Sequence, residues 1–219
     1  MKRIFALDYR IMRNYPLIIL GLLIFTIVMK FLVGQNSHTK LDQNTFTFNF
    51  SDTFFMFTMV CIFFLLSHKY EQLRKYKLTE WYESFPFTKR ELRLANFTFV
   101  LVPHFLLILF AVLYYSINDD FYKISGMFLM FGISLIMNGL MLMIGIKNTF
   151  WYVILAYFGG ALLLLAFGFH HLLVMNDINM KLNLSDNPYW HFYLYQLPYI
   201  ITAIGFIICI ASLFIYRKD

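Results

Sequence analysis

Long apolar runs dominate the pattern of this chain, and short polar stretches separate them. Six runs approach the roughly 20 apolar residues a helix needs to cross a bilayer: residues 16 to 33, 52 to 68, 94 to 117, 124 to 146, 149 to 169 and 197 to 216. Lipid offers the backbone no hydrogen bonds, so a span is a helix or part of a closed barrel. These runs lack the alternating polar positions of barrel strands. The pattern therefore predicts an all-α integral membrane protein, one domain over residues 1 to 219, with six transmembrane helices. The second run is the shortest, and its helix is expected to begin in the polar Ser51-Asp52 pair and to continue past His68.

Ahead of the first run, KRIFALDYRIMRN places Ile4, Phe5, Leu7, Ile11 and Met12 on one helical side and Arg3, Arg10 and Arg13 largely elsewhere. That suits an N-terminal interfacial helix, although a simple basic anchor has the same composition. Pro16 fits the first turn of the span that follows. This run is longer than a signal-peptide core and has no small-residue cleavage site before Asn36, so the first span is expected to be retained. Between the runs, Phe46, Phe48 and Phe50 alternate with polar residues and suit the lipid surface. A brief loop covers Asn118 to Tyr122, and a long one, 170 to 196, is expected to cap the same side.

Composition agrees with the pattern. The chain is 60% hydrophobic and 14% charged, with a mean hydropathy of +0.65, against about 25% charged residues in soluble domains. Basic residues stay in the cytoplasm, and their distribution is uneven. Four precede the first run (Lys2, Arg3, Arg10, Arg13), seven lie between 69 and 93, and Lys147, Arg217 and Lys218 fall on the same side. Only Lys40, Lys123 and Lys181 fall opposite, and Lys30 can snorkel from the outer end of its span. Both termini are thus expected in the cytoplasm of a multi-pass cell-membrane protein. The net charge of +6 follows from topology and contact with anionic lipid, and gives no argument for nucleic acid. Cys61 and Cys209 both lie in spans without ligand spacing, so neither a disulfide nor a zinc site is expected.

The densest polar stretch among the runs is YKLTEWYESFPFTKRELRLANF, Tyr76 to Phe97, which holds three of the four Glu residues. Leu78, Trp81, Tyr82 and Phe85 follow i, i+3, i+4, i+7 spacing, predicting a short amphipathic helix with Glu80 and Glu83 off the stripe. Pro86 ends it. Thr88 and Glu91 then form a Thr-x-x-Glu capping box, with Phe87 and Leu92 at the staple positions. A second helix is expected to start near Lys89, carry Arg90 and Arg93, and run into the third span. The segment is a helix, an elbow and a helix on the cytoplasmic side. A loop anchored by interfacial Trp81 and Tyr82 is the plainer alternative.

This layout, with Ser84-Phe85-Pro86-Phe87-Thr88-Lys89-Arg90-Glu91 after the second span, resembles the small ABC-2 type transporter permeases. Their usual pattern is Leu-Pro-hydroxyl-basic; here Phe85 replaces Leu, and Asn96 stands where Lys is common. The resemblance implies that the elbow is a coupling helix between spans 2 and 3, docking on a separate ABC ATP-binding subunit through Glu80, Trp81, Glu83, Phe85, Pro86, Lys89, Arg90 and Glu91. ATP and magnesium are expected on that subunit and no cofactor on this chain, whose glycines include no G-x-x-x-x-G-K-[ST]. A second copy or a homologous permease is expected to complete the path. The family's cargoes, read with the Phe-, Met- and Leu-rich spans, point to export of a hydrophobic or amphipathic substrate, a peptide by preference. From another class, a non-transporting accessory or sensor subunit docking a cytoplasmic regulator also fits the elbow. An integral membrane enzyme has little to stand on: no G-x-S-x-G or H-E-x-x-H is present.

Two intramembrane polar residues stand out. His104 follows Pro103, about 16 Å past Arg93 along the helix; an ionisable residue at that depth points to function, while a neutral His bonding a carbonyl released by the proline is the structural reading. Asn138 sits near Gly132 and Gly139, which share a helix face and read as close packing; Ala156 and Gly160 read likewise. His170, His171, Asp177 and His191 cluster on the outer side, but their irregular spacing makes a poor metal site.

Overall fold

A computed structural model describes residues 2–12, 14–34, 50–78, 84, 86–117, 121–144, 149–180 and 186–214. Helices occupy nearly all of them: α1 (Lys2–Met12), α2 (Tyr15–Gly34), α3 (Phe50–Lys75), α4 (Lys89–Ile117), α5 (Phe121–Ile144), α6 (Thr149–Met180), α7 (Pro188–His191), a π-helical turn (Phe192–Gln196) and α8 (Leu197–Phe214). The alternating Phe46 and Phe48 lie outside the described residues, and Phe50 opens α3.

Among the described residues, four helical stretches are long and apolar enough to cross a membrane: Glu91–Ile117, Lys123–Ile144, Phe150–Val174 and Pro188–Phe214. A fifth arises if α1 and α2, which meet at an 88° bend, count as one broken span. Six were expected; α3, whose first five side chains (50–54) lie outside the described set, is not among these stretches. Its 26 residues, Phe50–Lys75, begin at the Ser51-Asp52 pair and continue past His68 as the sequence predicts, about 39 Å of helix at 1.5 Å per residue. Much of α3 packs against protein, while Phe57 is exposed. Phe55, Met59, Ile62, Phe63, Leu65, Leu66 and Leu73 are all buried, and α1, α2, α4 and α6 pack around it.

The most extensive contact joins α5 and α8, which run parallel: Phe128 faces Tyr199 and Thr202, while Leu135 faces Cys209. Small residues permit the approach. A Cβ on Gly132 would lie 2.6 Å from the Thr202 nitrogen, and one on Gly205 would lie 2.8 Å from the Gly132 carbonyl oxygen. Thr202 Oγ1 donates to Phe128 O at 2.7 Å and Cys209 Sγ to Leu135 O at 3.0 Å. Gly132 and Gly139 thus do the packing their spacing predicts. Gly159 and Gly160 in α6 admit the Phe63 and Phe64 rings of α3 in the same way. α5 is the most enclosed of the four spanning stretches. Leu17, Ile24, Phe105, Leu113, Phe158 and Ile207 stand exposed on α2, α4, α6 and α8, a surface suited to acyl chains.

Residues 170 to 196 were expected as a loop. Instead α6 continues to Met180, and helix resumes at Pro188. Asn187 caps that restart, accepting from the Tyr189 amide at 3.0 Å, with Pro188 at the first helical position. The π turn has a local cause. Pro198 has no N–H for the carbonyl of Leu194, four residues back, and His170 Nε2 donates to that oxygen at 2.9 Å. His170 therefore supports a broken helix, and His171 stacks on Phe167 at 5.6 Å. Among the described residues no group of three His, Cys, Asp or Glu side chains is placed to hold a metal.

Candidate functional site

The elbow begins where α3 stops. Lys77 takes a left-handed backbone, φ 52°, and two hydrogen bonds close the end: Leu78 N to Leu73 O at 2.7 Å and Lys77 N to Arg74 O at 2.9 Å. This is a Schellman cap, in a place where the sequence offers no glycine to announce it. Residues 79–83 and 85 follow, so Glu80, Trp81, Glu83 and Phe85 lie outside the described residues, and the stripe predicted through them does too. Pro86 is exposed. The capping box forms as its spacing requires: Thr88 N donates to Glu91 Oε2 at 2.8 Å, and Glu91 N donates to Thr88 Oγ1 at 3.2 Å. Lys89 and Arg90 form the first turn of α4, their side chains outside the described set. Leu92 packs onto the core.

Directly inside this corner sits a buried ion pair. Lys69 Nζ lies 2.7 Å from Asp8 Oδ1, and both side chains are fully enclosed. The same ammonium donates to Asn96 Oδ1, and Asn96 Nδ2 approaches the Tyr70 hydroxyl at 3.5 Å. One cation thus joins α1, α3 and the second turn of α4. Burial pushes the Lys69 ammonium below its usual pKa, and the Asp8 carboxylate opposes that shift by its charge and hydrogen bond. Burial raises the Tyr70 phenol, with the nearby Tyr152 and Asp8 adding to it and Arg93 and Asn96 working against it. Lys69 was expected among the basic residues of the segment between 69 and 93. It lies instead within α3, which runs six residues further to Lys75. Asn96, noted only for departing from a family pattern, is a partner of that lysine.

The N-terminal helix is part of the same unit. Ile11 and Met12 are buried in the core and Leu7 packs on it, while Arg10 is exposed. The apolar side that suited a lipid interface is therefore used, at these positions, against protein.

Deeper in the bundle, His104 and Asn138 are brought together through Ser134, which no motif in the chain singles out. A carbonyl oxygen only accepts, so His104 Nδ1 carries the proton donated to Val100 O at 2.7 Å. In the neutral ring Nε2 then accepts from the Ser134 hydroxyl. Asn138 Nδ2 donates to Ser134 O at 2.9 Å and reaches Ser134 Oγ at 3.3 Å. The carbonyl that Pro103 releases is Phe99's, four residues back; His104 takes the next one. All three side chains are wholly buried, and Asn138 Oδ1 has no hydrogen-bond partner among the described residues.

Beside the Lys69 cluster a cavity of about 250 Å³ opens between α3 and α6. Phe64 and Val153 form apolar wall, Ser67, Tyr70 and Tyr152 bring hydroxyls, and Glu71 and Arg74 stand at the mouth. Ser67 Oγ donates to Met141 Sδ at 3.6 Å, and Tyr70 and Tyr152 pack with ring centroids 5.3 Å apart.

The contacts group the helix ends consistently. Asp8, the end of α3, the start of α4 and, through Tyr152, the start of α6 share one end; the parallel course of α5 and α8 brings the end of α8 to it as well. Lys123 over the Tyr115 ring and His170 with Ser125 lie at the other. Comparison with protein-family models, with characterised proteins and with solved structures finds no match.

Proposed function

We propose that this chain is the membrane subunit of an ATP-driven exporter, a permease of the small ABC-2 kind. It resides in the cell membrane with both termini in the cytoplasm, and α2 and α3 join the four apolar stretches as spans. Two permease chains, identical or homologous, form the path, and separate ATP-binding subunits carry ATP and magnesium. The cargo is hydrophobic or amphipathic, a peptide by preference.

The observation that carries this reading is the attachment of the elbow. A lever transmits movement only if it is tied to what it moves. The capped start of α4 is followed, in the second turn of the helix, by Asn96, which holds Lys69 and through it Asp8. A push on the corner then reaches α1, α3 and α4 together, and α3 packs against α2, α5 and α6 as well. Close-packed interiors pass such displacements on because they do not compress. The elbow's sequence holds both charge signs, which suits a protein-docking segment better than a plain basic anchor.

The test is co-purification of the chain with its ATP-binding subunit. Phe85→Asp and Pro86→Leu are expected to abolish association while membrane insertion persists, and ATP-dependent efflux from reconstituted vesicles is expected to fail with them. Normal association of both variants would sink the assignment.

A further inference from the structure

We propose that the cavity between α3 and α6 binds the headgroup of a zwitterionic phospholipid of the phosphoethanolamine type, its ammonium at Glu71 and its phosphate at Arg74. This needs only a membrane around the protein and does not rest on the transport reading.

Charge at the mouth defines the ligand. Glu71 and Arg74 are exposed, and neither forms an ion pair among the described residues. They sit three apart on α3, hence on one face, with about 5–6 Å between Cβ atoms. A purely anionic headgroup would meet the Glu71 carboxylate, and a purely cationic amphiphile would meet the Arg74 guanidinium. A molecule that carries both charges a short distance apart satisfies both. Guanidinium is suited to a phosphate because its planar fork donates two parallel hydrogen bonds.

The interior supports the same orientation. Tyr152 is nine-tenths buried and lines the cavity, its hydroxyl beside that of Ser67. A phosphate or ester oxygen entering the cavity would accept from these hydroxyls, which can only donate to it. Size and exposure then place the tails. A volume of about 250 Å³ falls below the roughly 300–1,000 Å³ of pockets that enclose a whole drug-sized ligand, so a headgroup enters and the rest stays outside. Tyr157, at the cavity's edge, is 74% exposed, and Trp151, Ile154 and Phe158 beside it on α6 are exposed too. Acyl chains would lie along that apolar flank.

The test uses the purified, delipidated full chain in detergent, titrated with phosphatidylethanolamine or phosphatidylglycerol, with lipid retention read by native mass spectrometry and stability by thermal unfolding. Wild type is expected to retain phosphatidylethanolamine and to melt higher with it than with phosphatidylglycerol. Arg74→Gln should weaken retention about tenfold or more, the loss of a charged hydrogen-bonding group. Glu71→Gln should erase the preference for the zwitterionic lipid while binding persists. Equal or stronger retention of phosphatidylglycerol by wild type would overturn the proposal, as would wild-type retention of phosphatidylethanolamine by both variants. Water-soluble phosphoethanolamine binding as tightly as the lipid would overturn the assignment to a membrane lipid.

Discussion

Lys69 Nζ and Asp8 Oδ1 lie 2.7 Å apart with both side chains shut away from solvent. Burying two charges is costly, and removing one partner leaves the other charge stranded. Lys69→Met should therefore lower stability by about 3–5 kcal/mol, read as a fall in the melting temperature of the detergent-solubilised chain. The double replacement Asp8→Leu with Lys69→Met removes both charges and should recover most of that loss. A single Lys69→Met as stable as wild type would show that the pair holds nothing together.

The chain from Asn138 through Ser134 to His104 should behave as one unit. Ser134→Ala removes the donor to His104 Nε2 and an acceptor of Asn138 Nδ2, at a cost of about 1–3 kcal/mol for buried groups left unmatched. His104→Phe breaks the same chain from the other side. In a double-mutant cycle the combined loss is expected to be smaller than the sum; strictly additive losses would mean that the three residues act independently.

Helix packing gives a contrast between two glycines. At Gly132 an added methyl would meet the backbone of Thr202 at 2.6 Å, and backbone cannot swing aside. Gly132→Ala should cost about 1–3 kcal/mol or more and loosen α5 from α8. Gly168 in α6 has nothing within 4 Å of where its Cβ would stand, so Gly168→Ala should stabilise by about 0.5–1 kcal/mol. Thermal unfolding of the two variants side by side decides the matter, and equal effects would refute the close approach.

Lys77 holds the left-handed position that ends α3. A side chain there costs about 1–2 kcal/mol that glycine avoids. Lys77→Gly is expected to raise the melting temperature and to leave the fold unchanged by circular dichroism. Destabilisation would mean that the lysine side chain has a role that outweighs its strained backbone.

How much of this was legible in the sequence depended on range. The start of α4 was readable at Thr88 and Glu91 because a capping box spans three residues and both partners are on the page together. The packing roles of Gly132 and Gly139 were readable for a similar reason, since small residues at helical spacing have one common use in membranes. The Schellman cap at Lys77 was not, because its usual glycine is absent. At residues 170 to 196 the histidines and asparagines read as a loop, and helix prevailed because His170 and His171 found partners in Leu194 and Phe167.

The sequence by itself determined the helical class, the apolar stretches and the capped start of α4, because hydrophobic length and local capping are properties of neighbours along the chain. Tertiary structure alone decided that Lys69 is an internal strut and not a loop charge, that α1 packs its apolar side on protein, and that Ser134 links His104 to Asn138. The physical reason is the same in each case. A lone cation, a short apolar run or a serine has no fixed meaning until folding sets its solvent, and Asp8, Asn96 and His104 come within reach only once the helices pack.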